Sequence, residues 1–159
     1  MKKLLFCLLC ALFAWPGALA AKDPTDRTTN VDSADAEMNA AIAKARSLLP
    51  HFWQTFAAPK RGETDFCLKL RVTDTHGTEH FWLTDLARKD GKIFGTINND
   101  PETVKSIKLG QRVEVPEADI SDWLYFREGK MVGNYTVRVL FKSMTPGEVA
   151  EIQGKLADP

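Results

Sequence analysis

Glu79 and His80 stand side by side in the stretch GTEHFWLTDL (77–86). An acid next to a histidine has the residue types of a proton-transfer pair, or of part of a metal site. Neighbouring residues on a strand point to opposite faces, however, so each needs its own partner from another strand. Asp85, Glu114 and Asp122 are further acids that such chemistry could draw on. A hydrolase of envelope material built on Glu79, His80 and Asp122 requires these groups to converge in one solvent-filled cleft.

Other chemistries lack their patterns. His51, His76 and His80 show no H-x-x-x-H or H-x-H spacing, and no Asp-rich calcium loop is present. None of Ser33, Ser47, Ser106, Ser121 and Ser143 lies in G-x-S-x-G. GTINND (95–100) is not a phosphate loop, so no cofactor is implied. The large rings are the stronger signal: Trp53, Trp82 and Trp123, with Phe81, Tyr125 and Phe126. Tryptophan serves both cores and binding hot spots. Ser121-Asp122-Trp123 follows the loop PEADI (116–120) and is the segment expected to be exposed, with Asp122 capping a turn or meeting a basic group of a partner. The residues favour a binding surface over catalysis. Its candidates are Trp82, Trp123, Asp122, His80 and Glu79.

The N-terminus speaks to location. MKK is a short basic region, and LLFCLLCALFAWPGALA is an apolar run ending in Ala18-Leu19-Ala20, the pattern of a secretory signal peptide over residues 1–20. Cleavage predicts a periplasmic or secreted protein with no membrane span. It removes Lys2 and Lys3 from the 21 basic residues and none of the 21 acidic ones, so the mature chain is slightly acidic overall. That balance gives no electrostatic basis for binding nucleic acid. It also removes Cys7 and Cys10, leaving Cys67 without an internal partner and expected in a strand core.

A polar leader (21–32) precedes a single domain over 33–159. Residues 33–49 read as a helix with Met38, Ile42, Ala45 and Leu49 on one stripe, ended by Pro50. FCLKLRV (66–72) alternates as a half-buried strand, and EHFWLTDLA (79–87) follows. Asp90-Gly91 and Glu128-Gly129 are hairpin turns in two look-alike segments, RKDGKIFGTI and FREGKMVGNY. Asp100-Pro101 fits a short helical turn, MVGNYTVRVLF (131–141) a long strand, and Thr145-Pro146-Gly147-Glu148 a capping box opening a last helix. Gly95 and Gly133 inside strands mark a bulge or a close approach, most often by the same fold. The expected class is α+β: an N-terminal amphipathic helix, a coiled or partly closed antiparallel sheet of about five to six strands, and a C-terminal helix.

One residue of hairpin register decides where His80 and Trp82 point. A two-residue loop at His76-Gly77 pairs Val72 with Phe81 and puts His80 and Trp82 on a polar face with Thr73 and Arg71, where an Arg–Trp stack becomes available. A three-residue loop, Thr75-His76-Gly77, pairs Val72 with His80 and turns both rings into the core. Asp74 and Gly77 suit the first and fourth positions of a type I turn, which favours the second register.

The segment from Ala36 to Leu140 resembles the bacterial family of domain of unknown function 2314. The resemblance is carried by the alanine-rich helix, F-C-L-K-L and E-H-F-W-L, and by G-x-I-x-N-x-P at 95–101 and K-L-G-x-x-V at 108–113. S-D-W at 121–123 and G-x-x-T-x-R-x-L at 133–140 complete it. It implies a compact bacterial module, sometimes exported, with no known cofactor and no catalytic residues to carry over. The expectation is an exported, non-catalytic binding protein with a protein partner in the cell envelope, immunity-like in one version. The envelope hydrolase and a purely structural envelope module are its alternatives.

Overall fold

The computed structural model describes residues 36–157. The expected signal peptide, the leader and the first residues of the expected helix lie outside that range. Two helices open the fold, α1 (Ala36–Ser47) and α2 (Leu49–Ala57). The apolar stripe forms as expected, with Met38, Ala45 and Leu49 buried. Pro50 does not end the helical region. It occupies the first turn of α2, where a proline loses no helical hydrogen bond, and HFWQTF continues as helix.

Six antiparallel strands follow: β1 (Glu63–Asp74), β2 (Gly77–Lys89), β3 (Lys92–Ile97), β4 (Arg112–Glu114), β5 (Ile120–Arg127) and β6 (Lys130–Gly133). Their order across the sheet is β4-β3-β2-β1-β5-β6, open at both edges. Asp90-Gly91 and Glu128-Gly129 have the paired positive φ values of tight hairpin turns. One face of the sheet packs under α1 and α2 through Leu68, Leu70, Phe81, Leu83, Ile97, Ile120, Trp123 and Tyr125. Trp123 is tied to α1 by its indole N–H, which donates to the Ala45 carbonyl at 2.8 Å. The opposite face holds a smaller cluster, Cys67, Leu124 and Met131, flanked by Trp82, Phe126 and Leu156.

Two expected elements are replaced. Residues 98–111 form an irregular crossing rather than a helical turn at Asp100-Pro101. The expected long strand stops at Gly133 and becomes α3 (Tyr135–Leu140). Gly133 and Asn134 both have positive φ, at 89° and 51°, and two such residues in a row turn the chain out of the sheet. A Cβ at Gly133 would lie 2.4 Å from the Trp123 carbonyl oxygen. The close approach at this glycine is therefore a neighbouring strand, and at Gly95 it is Leu83 of β2. Valine-rich YTVRVL is helical because its first N–H groups find a buried carboxylate, which outweighs local strand preference. The last helix, α4 (Pro146–Lys155), starts at the full Thr145–Glu148 capping box. It ends with Leu156 bridged to Met131 of β6, so its C-terminus covers part of the second face.

Candidate functional site

The β1–β2 register answers the question raised by Glu79 and His80. Asp74 pairs with Gly77, Val72 with Glu79, Arg71 with His80, Leu70 with Phe81 and Lys69 with Trp82. Neither expected loop forms. The turn residues are Thr75 and His76, neither with a positive φ, and Gly77 pairs in the ladder instead of sitting in the loop. Asp74 and Gly77 do take the first and fourth turn positions, and the Asp74 carboxylate accepts the His76 N–H at 2.8 Å. Phe81 and Leu83 therefore face the core, while His80 and Trp82 face away from it. The favoured three-residue loop, which turned both rings inward, is corrected.

Glu79 points to the core side and is 1 % exposed. Its carboxylate accepts the backbone N–H groups of Glu102, Thr103 and Val104 at 3.0–3.2 Å. Asp74 takes the next pair, Lys105 and Ser106, at 2.7 and 3.0 Å. The His76 N–H first, and then those of Lys105 and Ser106, hold the Asp74 carboxyl down at about 2 against the effect of burial. The two acids thus pin the crossing segment to the hairpin. Glu79 and His80 diverge across the sheet, and this arrangement does not bring them together.

Asp122 and Trp123 are not exposed. Trp123 is 1 % and Asp122 0 % accessible. β5 runs between β1 and β6, and Trp123 faces Leu68 while Asp122 faces Lys69 on the other side. Trp82 and Trp123 consequently lie on opposite faces rather than in one patch. The Asp122 carboxylate accepts the N–H groups of Trp123 (2.8 Å), Tyr135 (3.1 Å) and Thr136 (2.7 Å), and the Thr136 hydroxyl (2.7 Å). It caps α3 from a neighbouring strand. Burial pushes its pKa up, against the pull of the Lys69 charge and the donors from Thr136 and Trp123. Of the two roles expected for Asp122, the structure displays the capping one.

The second face gathers residues that strand alternation alone did not single out. The β1–β5 register shifts between Lys69 and Leu70, which leaves Ser121 as the extra residue of a bulge. Its hydroxyl donates to the Lys69 carbonyl at 3.2 Å and lies 2.7 Å from His80 Nδ1. Lys69 extends its ammonium to the Thr136 hydroxyl at 3.2 Å and over the Trp82 ring, 5.1 Å from its centre. The cation stacked on Trp82 is therefore Lys69, not Arg71. Arg71 reaches Asp119 at 2.8 Å. Burial lowers the Lys69 pKa, partly offset by Asp122. His80 is pushed down to about 4, first by burial and then by the charges of Lys69, Arg71 and Arg46. The imidazole is neutral at physiological pH. Trp82 remains partly exposed beside these groups.

This arrangement has little means for nucleophilic catalysis. Ser121 is 1 % exposed and meets the wrong side of a useful general base, since its proton is committed to a carbonyl. Cys67 is buried, as its strand position implied. Among the described residues no group of three or more His, Cys, Asp and Glu side chains is placed to hold a metal ion, and no helix is long and apolar enough to cross a membrane.

Lys69 and Thr136 escaped selection from the sequence, Arg71 entered only through the suggested stack, and Ser121 only as part of the segment expected to be exposed, where it is instead buried. Lys69 and Arg71 read as ordinary outward positions of an alternating strand. Their one sequence signal is that three alternate polar positions, Lys69, Arg71 and Thr73, share the face of His80 and Trp82 once the register is known.

Comparison with known proteins agrees with this chain-wide pattern. Residues 35–156 match the family model described as "Uncharacterized protein conserved in bacteria (DUF2314)", so the match takes in the C-terminal helix as well. The chain is 35% identical over 156 residues to "Uncharacterized protein YegJ" of Escherichia coli (strain K12), covering 98% of this chain and 99% of that one. It is 30% identical over 130 residues to a protein of Neisseria meningitidis serogroup B named "Putative ankyrin repeat protein", covering 76% of this chain and 51% of that longer relative. No solved structure matches. The chain belongs to the DUF2314 family of bacterial proteins.

Proposed function

We propose that this protein is exported and acts as a small, non-catalytic binding protein of the cell envelope, with the second face of its sheet as the recognition surface. The observation that carries the reading is Trp82. It lies partly exposed on the face that α1 and α2 do not cover, beneath the Lys69 ammonium and on the same side as His80. A broad ring held by its neighbours gives contact area at little cost in side-chain freedom. Glu79, Asp122 and Trp123 support that surface from within instead of touching a partner.

Export is favoured by the basic start, the apolar run and Ala18-Leu19-Ala20. The alignment with the E. coli relative spans 98% of the chain, so this N-terminal run falls inside it. A protein partner in the envelope, such as a toxin that this protein neutralises, fits a compartment where a small binder meets other exported proteins.

Fractionation of cells expressing the full chain is expected to give a periplasmic product beginning at Ala21. Immobilised wild-type protein is expected to retain an envelope protein that Trp82→Ala releases and that the core variant Trp123→Phe keeps. A cytoplasmic product with an intact N-terminus refutes export. Equal retention by wild type and Trp82→Ala refutes the surface.

A further inference from the structure

We infer that the face around His80 receives an extended acidic segment of a partner protein, with carboxylates beside Lys69 and Arg71 and a backbone N–H on His80 Nε2. The inference rests on the recognition surface proposed above and names the chemistry of its partner.

The first support is the one tautomer of His80 that lets both Ser121 contacts form at once. Ser121 has one hydroxyl proton, and the Lys69 carbonyl at 3.2 Å can only accept it. The 2.7 Å contact between Ser121 and His80 Nδ1 is then donated by the imidazole. A neutral ring that carries its proton on Nδ1 presents a bare lone pair at Nε2. No donor among the described residues meets that atom. The bulge at Ser121 brings its hydroxyl to the Lys69 carbonyl and to His80.

The second support is charge. Lys69, Arg71 and Arg46 all act on His80. On the same side, Asp119 is engaged by Arg71 at 2.8 Å, and Asp122 is saturated by four donors. Three cations stand against two acids, both already occupied. Arg46 donates to the Ile120 and Ala118 carbonyls, two neutral acceptors that leave its charge uncancelled. The Arg71 side chain is 48% exposed, so an incoming carboxylate can reach it.

The two features together select among anions. A phosphodiester backbone would satisfy the cations but would set oxygen lone pairs against the Nε2 lone pair. A metal ion would meet repulsion from three cations. An extended peptide offers both needs in alternation, an N–H donor along the chain and an acidic side chain projecting from it.

The test uses purified protein and three labelled probes read by fluorescence anisotropy: hexaglutamate, hexaglutamate N-methylated along its backbone, and an oligothymidylate of equal charge. Hexaglutamate is expected to bind, to weaken as salt is raised, and to bind about tenfold tighter than either other probe. Arg71→Gln, a surface change that leaves the core intact, and Lys69→Met are each expected to weaken it about tenfold. His80→Phe is expected to erase the difference between the plain and methylated peptides, an effect that loss of charge alone would not give. Absence of hexaglutamate binding overturns the inference. So does indifference to Arg71→Gln and Lys69→Met, or equal binding of the oligothymidylate. If an envelope protein is retained in a Trp82-dependent way but its binding ignores salt and both cation variants, the acidic partner falls while the recognition surface stands.

Discussion

Asp122→Ala isolates the capping role assigned to this residue. The substitution removes the acceptor of three backbone N–H groups, those of Trp123, Tyr135 and Thr136, and of the Thr136 hydroxyl, at a position with no solvent access. A buried donor left unpaired costs about 1–3 kcal/mol, and these losses overlap because water entering the new space would serve more than one of them. Lys69 also loses its nearest opposing charge. A loss of about 4 kcal/mol follows, a large part of the 5–15 kcal/mol typical of a domain. In a domain of this size it lowers the melting temperature by roughly 10–20 °C. Urea unfolding followed by tryptophan fluorescence measures it, since Trp123 sits next to the cap. Two further variants sharpen the result. Thr136→Val removes only the hydroxyl and should cost about 1–2 kcal/mol. Lys69→Met should cost less in the Asp122→Ala background than in the wild type, because the ammonium there has already lost its partner. A loss of under about 1 kcal/mol for Asp122→Ala refutes the cap, because exchanges at positions without such bonds fall near that size.

Three other outcomes follow from the same structure. The His80 pKa of about 4 lies below its ordinary 6.5, so the ring's contribution to stability is full above pH 6.5 and is lost as pH falls toward 4, by about 2–3 kcal/mol after allowing for its partial exposure. Melting curves across that range should show the fall, and His80→Phe should flatten it; a flat wild-type profile counts against a desolvated imidazole. Glu79→Gln keeps the volume but turns an amide N–H toward the donors of residues 102–104, costing about 2 kcal/mol and speeding amide exchange at Thr103 and Val104; unchanged exchange at those amides counts against the pin. Gly133→Ala should cost about 2–4 kcal/mol, because its Cβ would meet the Trp123 carbonyl at 2.4 Å on a backbone with φ of 89°. Gly129→Ala, with positive φ but nothing within 4 Å, should cost about 1 kcal/mol, and equal losses at both sites refute the close approach.

What was legible in the sequence was whatever depends on short-range periodicity. The stripe through Met38, Ala45 and Leu49, the alternation of FCLKLRV, the acid-Gly turns and the Thr145–Glu148 box all act over a few residues, and all form. What failed depended on partners far along the chain. YTVRVL reads as a strand until Asp122, about a dozen residues earlier, offers its carboxylate to the helix start. PETV reads as a helical turn until Glu79 claims three of its N–H groups. The site suffered most. Asp122 and Trp123 look like a polar and aromatic loop end, and become buried because β6 pairs along the outer edge of β5, the start of α3 meets Asp122, and α1 covers Trp123. The hairpin was half legible: Asp74 and Gly77 were the correct turn ends, but whether Gly77 joins the ladder is a matter of one backbone pairing.

The position of Lys69 makes stability an insufficient account of the second face. Its stem lies on a sheet between Trp82 and Asp122, and desolvation disfavours its charged form. Replacing a desolvated charge and its counterion by apolar groups of similar size is often neutral or stabilising. Asp122 has reason to remain, since the start of α3 depends on it. Lys69 gives the fold less: its charge offsets part of the burial cost of Asp122, and it adds a single 3.2 Å bond to a hydroxyl that Asp122 already holds at 2.7 Å. What Lys69 does contribute is electrostatic. Its ammonium covers Trp82 and helps keep His80 neutral, and both effects act on groups that face outward. Part of this charge offsets the burial of Asp122 inside the fold, and part falls on the partly exposed Trp82 and His80, where a group from outside can meet it. For that reason the surface around Trp82, and not the adjacent acid and histidine that first suggest chemistry, is where a partner should be sought.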